Sequence, residues 1–223
     1  FNPQSDTVSG EAFEEIDSWA LTRTAEVLEK VGAAYKEFAF HKVYRTLYDF
    51  ATVDLSAFYF DVIKDRLYTA PPRRARRRAA QTVLFRIADA LARAVSPLIC
   101  YTAEEVWSHL PAQADGAPRE PSVHMATLTP PDKLREGIPA KHRASLDNWP
   151  RLATVRGEVL KALEAARVAK HIGGSLEARV ILQAEGDLAT LLDQCRPFLR
   201  YLFIVSQVEL TTGPLDQIAQ SEL

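Results

Sequence analysis

At 223 residues, with 47% apolar side chains, the chain can bury a sizeable core in one large or two small domains, which excludes wholesale disorder. A formal net charge of −2 argues against a protein that coats nucleic acid along its whole surface and leaves room for a local basic site. No apolar run approaches the roughly 18 residues of a membrane span, and no partner in a membrane is expected.

Cys100 and Cys195 stand far apart, with no C-x-x-C spacing and no clustered histidines. Neither zinc nor a disulfide framework is expected, and buried free thiols in a reducing compartment suit a cytoplasmic protein. The opening residues Phe1-Asn2-Pro3-Gln4-Ser5-Asp6 do not read as a signal peptide or as a natural start, so a piece of a longer chain is expected.

A first helix is predicted over residues 13–31, where Phe13, Ile16, Ala20, Val27, Leu28 and Val31 keep helical spacing and Trp19 adds bulk. It is expected to end near Tyr35 or Lys36. A second helical stretch begins near Phe40, with Val43, Tyr44, Leu47 and Phe50 on one side. Thr52-Val53-Asp54 interrupts it, and Leu55, Phe58, Tyr59, Val62, Ile63 and Leu67 resume the period. Two consecutive helices, or one bent near a capping Asp54, fit this pattern equally.

Pro71 and Pro72 mark the start of the next helix. Five arginines fall within six positions there: Arg73, Arg74, Arg76, Arg77 and Arg78. Ala80, Val83, Leu84, Ile87, Leu91 and Val95 then form an apolar stripe, with Thr82, Arg86, Asp89 and Arg93 opposite. Arg73, Arg76 and Arg77 continue the apolar stripe, so this end must project beyond the core. Cations also oppose the partial positive charge of a helix N-terminus. Between Arg66 and Ser96 there are eight arginines and one acid, Asp89. Such an excess seeks an anion, and a phosphate backbone is one candidate; a solvated helix end that binds nothing is the other. Across the short turn 69–72, Lys64 and Arg66 are expected to join the arginines in one basic patch, with Tyr68 placed to stack on an unpaired base.

Ser96-Pro97 ends or kinks the helix. Thr102-Ala103-Glu104-Glu105 reads as a capping box opening a short helix through Trp107. Seven prolines between residues 111 and 150 break any long period and predict a connector lying over the bundle. A long helix is expected from Arg151 to a stop at Gly173-Gly174, followed by a strand over 176–182, a helix over 187–195 and a strand over 202–210. The expected organisation is mainly α: an antiparallel helical bundle (1–110), a proline-rich connector (111–150), and a long helix with a small α+β subdomain (151–223).

No glycine-rich phosphate loop, serine elbow or catalytic triad occurs. His171-Ile172-Gly173-Gly174 lacks the second histidine of a HIGH word, and Glu14-Glu15 and Glu104-Glu105 point apart. No catalytic residue and no metal ligand is expected in this chain.

Several words, in order, resemble one family. Val53-Asp54-Leu55-Ser56-Ala57-Phe58-Tyr59-Phe60-Asp61, Ile63-Lys64-Asp65-Arg66-Leu67-Tyr68, Arg77-Arg78-Ala79-Ala80-Gln81-Thr82-Val83-Leu84 and Thr102 to Trp107 are similar to the anticodon-binding region of bacterial-type isoleucyl-tRNA synthetases, as are Glu158 to Arg167 and Ser175 to Ala178. The family usually has serine where Ala79 stands. Valyl and leucyl relatives share the bundle; the Lys-Asp-Arg-Leu-Tyr and Arg-Arg-x-Ala-Gln-Thr words favour the isoleucyl member. The resemblance implies a class I enzyme joining isoleucine to its tRNA with ATP, through catalytic and editing domains that this chain lacks. The fragment itself would need no cofactor and be inactive alone. Its tRNA-binding residues would be Lys64, Arg66, Tyr68, Arg77, Arg78 and Gln81, the glutamine reading a base edge. Arg73, Arg74 and Arg76 fall in a variable spacer and join the set on charge alone. The alternative is a helical scaffold that docks protein partners through its basic end.

Overall fold

The computed structural model describes residues 1–211. The chain divides into two units, Phe1–Leu146 and Asp147–Leu223, so residues 111–146 of the proline-rich stretch belong to the first. Residues 212–223 of the predicted C-terminal subdomain lie outside the described residues.

The first unit is helical. A one-turn helix α1 (Pro3–Asp6) is capped by the Asn2 side chain, and α2 (Glu15–Lys36) follows. Then α3 (Phe40–Asp49), a wide-turned segment (Phe50–Tyr59) and α4 (Phe60–Tyr68) run on as one helical rod. After a turn come α5 (Ala75–Val95) and α6 (Cys100–His109).

Contacts fix the directions. Glu14, just before α2, meets Arg76 at the start of α5, while the Tyr35 hydroxyl donates to the Ala94 carbonyl at the far end, 2.7 Å away. The α2 and α5 helices are therefore parallel, and the α3–α4 rod returns between them in sequence. Ile16, Leu21, Val27, Phe50, Tyr59 and Ile63 are buried in the core. Ala79, Ala80, Ala90 and Ala94 keep α5 narrow where it is enclosed, so its apolar face meets neighbours closely.

Two helix expectations are corrected. The rod is not broken at Asp54, which pairs with Arg23 at 3.0 Å instead of capping a helix. The backbone widens there, the Phe60 N–H bonding the Leu55 carbonyl five residues back, and this extra residue per turn keeps Phe50, Leu55, Phe58 and Tyr59 all facing inward. Thr82 is buried rather than on an exposed face, because its hydroxyl donates to the Arg78 carbonyl and accepts the Val8 N–H.

The expected capping box at Thr102 is absent. The α6 helix starts at Cys100 without a side-chain cap, and Glu104 accepts hydrogen bonds from Ser122 Oγ and the Val123 N–H, both at 2.9 Å. The proline-rich stretch is held down by side chains. Trp107 Nε1 donates to the Glu120 carbonyl, and Arg93 and Arg119 each lie over the Trp107 ring, 4.7 Å from its centroid. Further on, α7 (Pro131–Arg135) packs on α2 through buried Leu134, and α8 (Ala140–Asp147) follows. Gly10 is required here: a Cβ would stand 1.5 Å from the Gly137 carbonyl oxygen.

In the second unit, α9 (Trp149–Val168) ends before the glycines. Lys170 takes the left-handed conformation and the His171 N–H bonds the Ala166 carbonyl, so Gly173-Gly174 is not the stop. Strands β1 (Arg179–Gln183) and β2 (Gln207–Thr211) pair in parallel, joined by α10 (Gly186–Gln194) and α11 (Arg196–Phe203). Leu202 and Phe203, expected in the second strand, end α11 as core residues. Parallel pairing explains why: it needs a crossover, and the helices supply it.

Candidate nucleic-acid interface

The residues expected to bind RNA gather at one end of the bundle, where α4 stops, the 69–74 turn runs and α5 begins. The structure divides them into a buried set and an outward set.

Arg66 belongs to the buried set. Its side chain is 7% exposed, and it grips Asp17 with two parallel hydrogen bonds of 2.9 and 2.7 Å, with Glu14 at 3.2 Å. Asp17 also accepts from the Tyr59 hydroxyl (2.9 Å) and the Glu14 N–H (3.0 Å), so both carboxylate oxygens are fully used. Burial alone would favour a neutral Arg66, but the Asp17 and Glu14 charges hold it above its ordinary pKa. Burial, and then the adjacent Asp17 charge, pushes the Tyr59 phenol up. Arg66 is thus a core ion pair tying α4 to α2, not a group left over for a phosphate.

The arginines of α5 are partly satisfied as well. Arg76 pairs with Glu14 but stays 56% exposed. Arg78 pairs with Asp6 at 3.0 Å and donates to Gln81 Oε1 at 2.9 Å, which occupies that amide oxygen. Arg77 donates to the Ala70 carbonyl at 2.8 Å and fastens the turn to α5, while its Nε is buried without a hydrogen-bond partner among the described residues. Asp6, Glu14 and Asp17 therefore offset part of the excess of positive charge between Arg66 and Ser96, pairing with Arg78, Arg76 and Arg66.

The outward set is smaller. Arg73 and Arg74 lie in the turn before α5 rather than inside it, exposed and without an ion pair among the described residues. Tyr68 is 81% exposed at the end of α4, and Lys64, one turn before it, is exposed and pairs with Asp61. Together they line one tip with two unpaired guanidinium groups, an ammonium group and an open aromatic ring. That combination suits a phosphate backbone beside an unstacked base.

Asp6, Glu14 and Asp17 lie outside the basic stretch and are absent from the sequence expectation for the basic patch. A signal existed: Asp17 shares the apolar stripe of α2, and Arg66 shares that of α4 with Ile63. An acid and a base each lodged in a buried stripe imply each other.

The family model for the anticodon-binding domain of tRNA ligases matches residues 17–182. The chain is 46% identical over 216 residues to an isoleucine–tRNA ligase of Symbiobacterium thermophilum, covering 96% of this chain and 22% of that protein. It is 42% identical over 210 residues to that of Desulforudis audaxviator and 41% over 210 to that of Geobacter sulfurreducens, each covering 94% of this chain and 22% of the relative. The chain thus spans less than a quarter of the relatives it matches. On the match across 17–182, the chain belongs to the family of anticodon-binding domains of tRNA ligases.

Proposed function

We propose that this chain is the anticodon-recognition part of an isoleucine–tRNA ligase, working in the cytoplasm. The bundle over residues 1–110 meets the anticodon stem-loop of an isoleucine tRNA. Catalytic and editing domains of the same polypeptide join isoleucine to that tRNA at the expense of ATP. The observation that carries the contact surface is the tip formed by Lys64, Tyr68, Arg73 and Arg74, where two guanidinium groups without an ion pair among the described residues, and the exposed Lys64, stand beside an exposed ring. Tyr68 stacks on an unpaired base, and the three cations track the phosphates. Arg76 stays paired with Glu14 at the edge of the tip. Arg66, Arg77, Arg78 and Gln81 act from behind, holding α4, the turn and α5 in register.

Binding of the chain to isoleucine tRNA, and to the same tRNA altered only in its anticodon, tests this reading. The altered tRNA should bind more weakly, and Arg73→Glu with Arg74→Glu should weaken binding of both. Equal affinity for the two tRNAs would overturn anticodon recognition. Unchanged affinity of the double variant would overturn the tip as its site.

A further inference from the structure

Glu14 carries more ties than an ordinary surface acid. It stands just before α2, at the end of the bundle where α5 begins. Its side chain accepts the Asp17 N–H while the Asp17 side chain accepts the Glu14 N–H, the reciprocal cap of a helix start. From behind, the buried guanidinium of Arg66 reaches Glu14 Oε2 at 3.2 Å. From the front, Arg76 donates through Nε to the other oxygen, Oε1. One carboxylate thus joins the core ion pair to an arginine whose side chain is 56% exposed.

The anchoring decides what this pair can do. An exposed ion pair is weak because water screens it and two long side chains must be held in one geometry. Here the acid is already fixed by the cap and by Arg66, so only Arg76 has to be ordered. Lys64 and Asp61 make the opposite case, lying one turn apart on α4, and such a pair holds a cation weakly against a phosphate. Arg78 and Asp6 matter less to RNA, since both are mostly covered.

A fixed carboxylate at the rim of a cationic surface also repels phosphate. Its effect on different RNAs is unequal. An RNA held by stacking on Tyr68 keeps one register, with its phosphates on Lys64, Arg73 and Arg74, and has no need of the rim. An RNA whose bases are not read has only the backbone attraction, which takes whatever positive charge lies within reach. Specificity is the difference between two affinities, and a repulsive element against the wrong ligand raises it as surely as a contact to the right one.

We propose that Glu14 is a specificity-determining residue of the tip: its carboxylate, locked by the α2 cap and Arg66, offsets Arg76 and bounds the cationic surface, so that RNA bound without anticodon reading gains nothing at the rim. This rests on reading the chain as an anticodon-recognition unit.

The test compares the intact chain with Glu14→Gln and with Glu14→Gln plus Arg76→Gln, each binding isoleucine tRNA and the same tRNA altered only in its anticodon. Glutamine keeps an oxygen for the Asp17 N–H, and Asp17 keeps its fork on Arg66, so α2 and α4 stay joined. At about 0.1 M salt the altered tRNA should bind Glu14→Gln about fivefold more tightly than the wild type, with log K falling about 0.7 more steeply against log salt, the share of one further phosphate contact. Isoleucine tRNA should gain no more than about twofold, the screened effect of a charge beside its own contacts, so discrimination falls. Adding Arg76→Gln restores the charge of the rim while leaving the loss behind it in place, and should return both affinities and the slope to wild type. An equal gain for both tRNAs, or none for the altered one, would overturn the role of Glu14. So would a change that persists in the double variant, since it would then come from the α2 cap. Equal binding of the two tRNAs by the wild-type chain would instead sink the anticodon reading, and this inference with it.

Discussion

Asp17 has four hydrogen bonds on two oxygens, and Arg66 meets it in a fork that is almost closed to water. Breaking a buried pair leaves one charge stranded, so Asp17→Asn or Arg66→Met should cost about 3–5 kcal/mol in urea unfolding. Tyr59→Phe removes only the hydroxyl donor and should cost about 1 kcal/mol. Tyr68 behaves in the opposite way. Exposed and free of core contacts, Tyr68→Ala should leave stability within about 0.5 kcal/mol and weaken tRNA binding by about 1–3 kcal/mol, measured by filter binding. A fall in stability with no change in affinity would reverse the roles assigned to Tyr68 and Arg66. The sequence made Tyr68 legible because its surroundings are local, Lys64 and Arg66 lying within one turn. Arg66 is not legible from its neighbours in the same way, since its partner is 49 residues away.

At the scale of elements, the rule of three-and-four spacing located α2, the α3–α4 rod and α5, because each buries a continuous stripe. It failed where a side chain or a non-ideal turn replaced the usual signal. Thr102 and Glu105 read as a capping pair, but α6 starts at Cys100 without one and Glu104 serves the proline-rich stretch, while Lys170 ends α9 in the conformation expected of glycine. The α8 contact with α2 shows another such long-range link. His142 Nδ1 lies 2.8 Å from Ser18 Oγ, and both residues are buried. Burial, and then the Lys141 charge, lowers the His142 pKa, while Asp17 and Glu11 oppose that shift more weakly. The sign follows from linkage. The unfolded imidazole takes up a proton near pH 6.5 and the folded one resists it. The stabilisation is therefore complete above about pH 6.5 and is lost as pH falls toward the folded pKa. Wild-type stability should drop across that window in urea titrations at stepped pH, and His142→Gln should flatten that part of the profile. A drop of equal size in the variant would remove His142 as its cause.

For the molecule as a whole, sequence-distant acids decide how much of the basic segment can reach RNA. Composition between Arg66 and Ser96 counts every guanidinium alike, but Asp6, Glu14 and Asp17 take up Arg78, Arg76 and Arg66. If only Lys64, Arg73 and Arg74 displace counterions from the tRNA, log K should fall with log salt at a slope of about −2. Full engagement of all seven basic residues, Lys64, Arg66, Arg73, Arg74, Arg76, Arg77 and Arg78, would give about −5. Arg73→Gln with Arg74→Gln should then flatten the slope by about 1.4, most of what there is. Every proposed contact also lies in the unit Phe1–Leu146. Holding salt fixed, deletion of residues 147–223 should leave affinity for the anticodon stem-loop within about threefold, provided circular dichroism shows the shortened chain to be helical. A slope near −5 in the intact chain would mean that RNA pulls the buried arginines from their carboxylates. A large loss on deletion would assign part of the contact to the second unit.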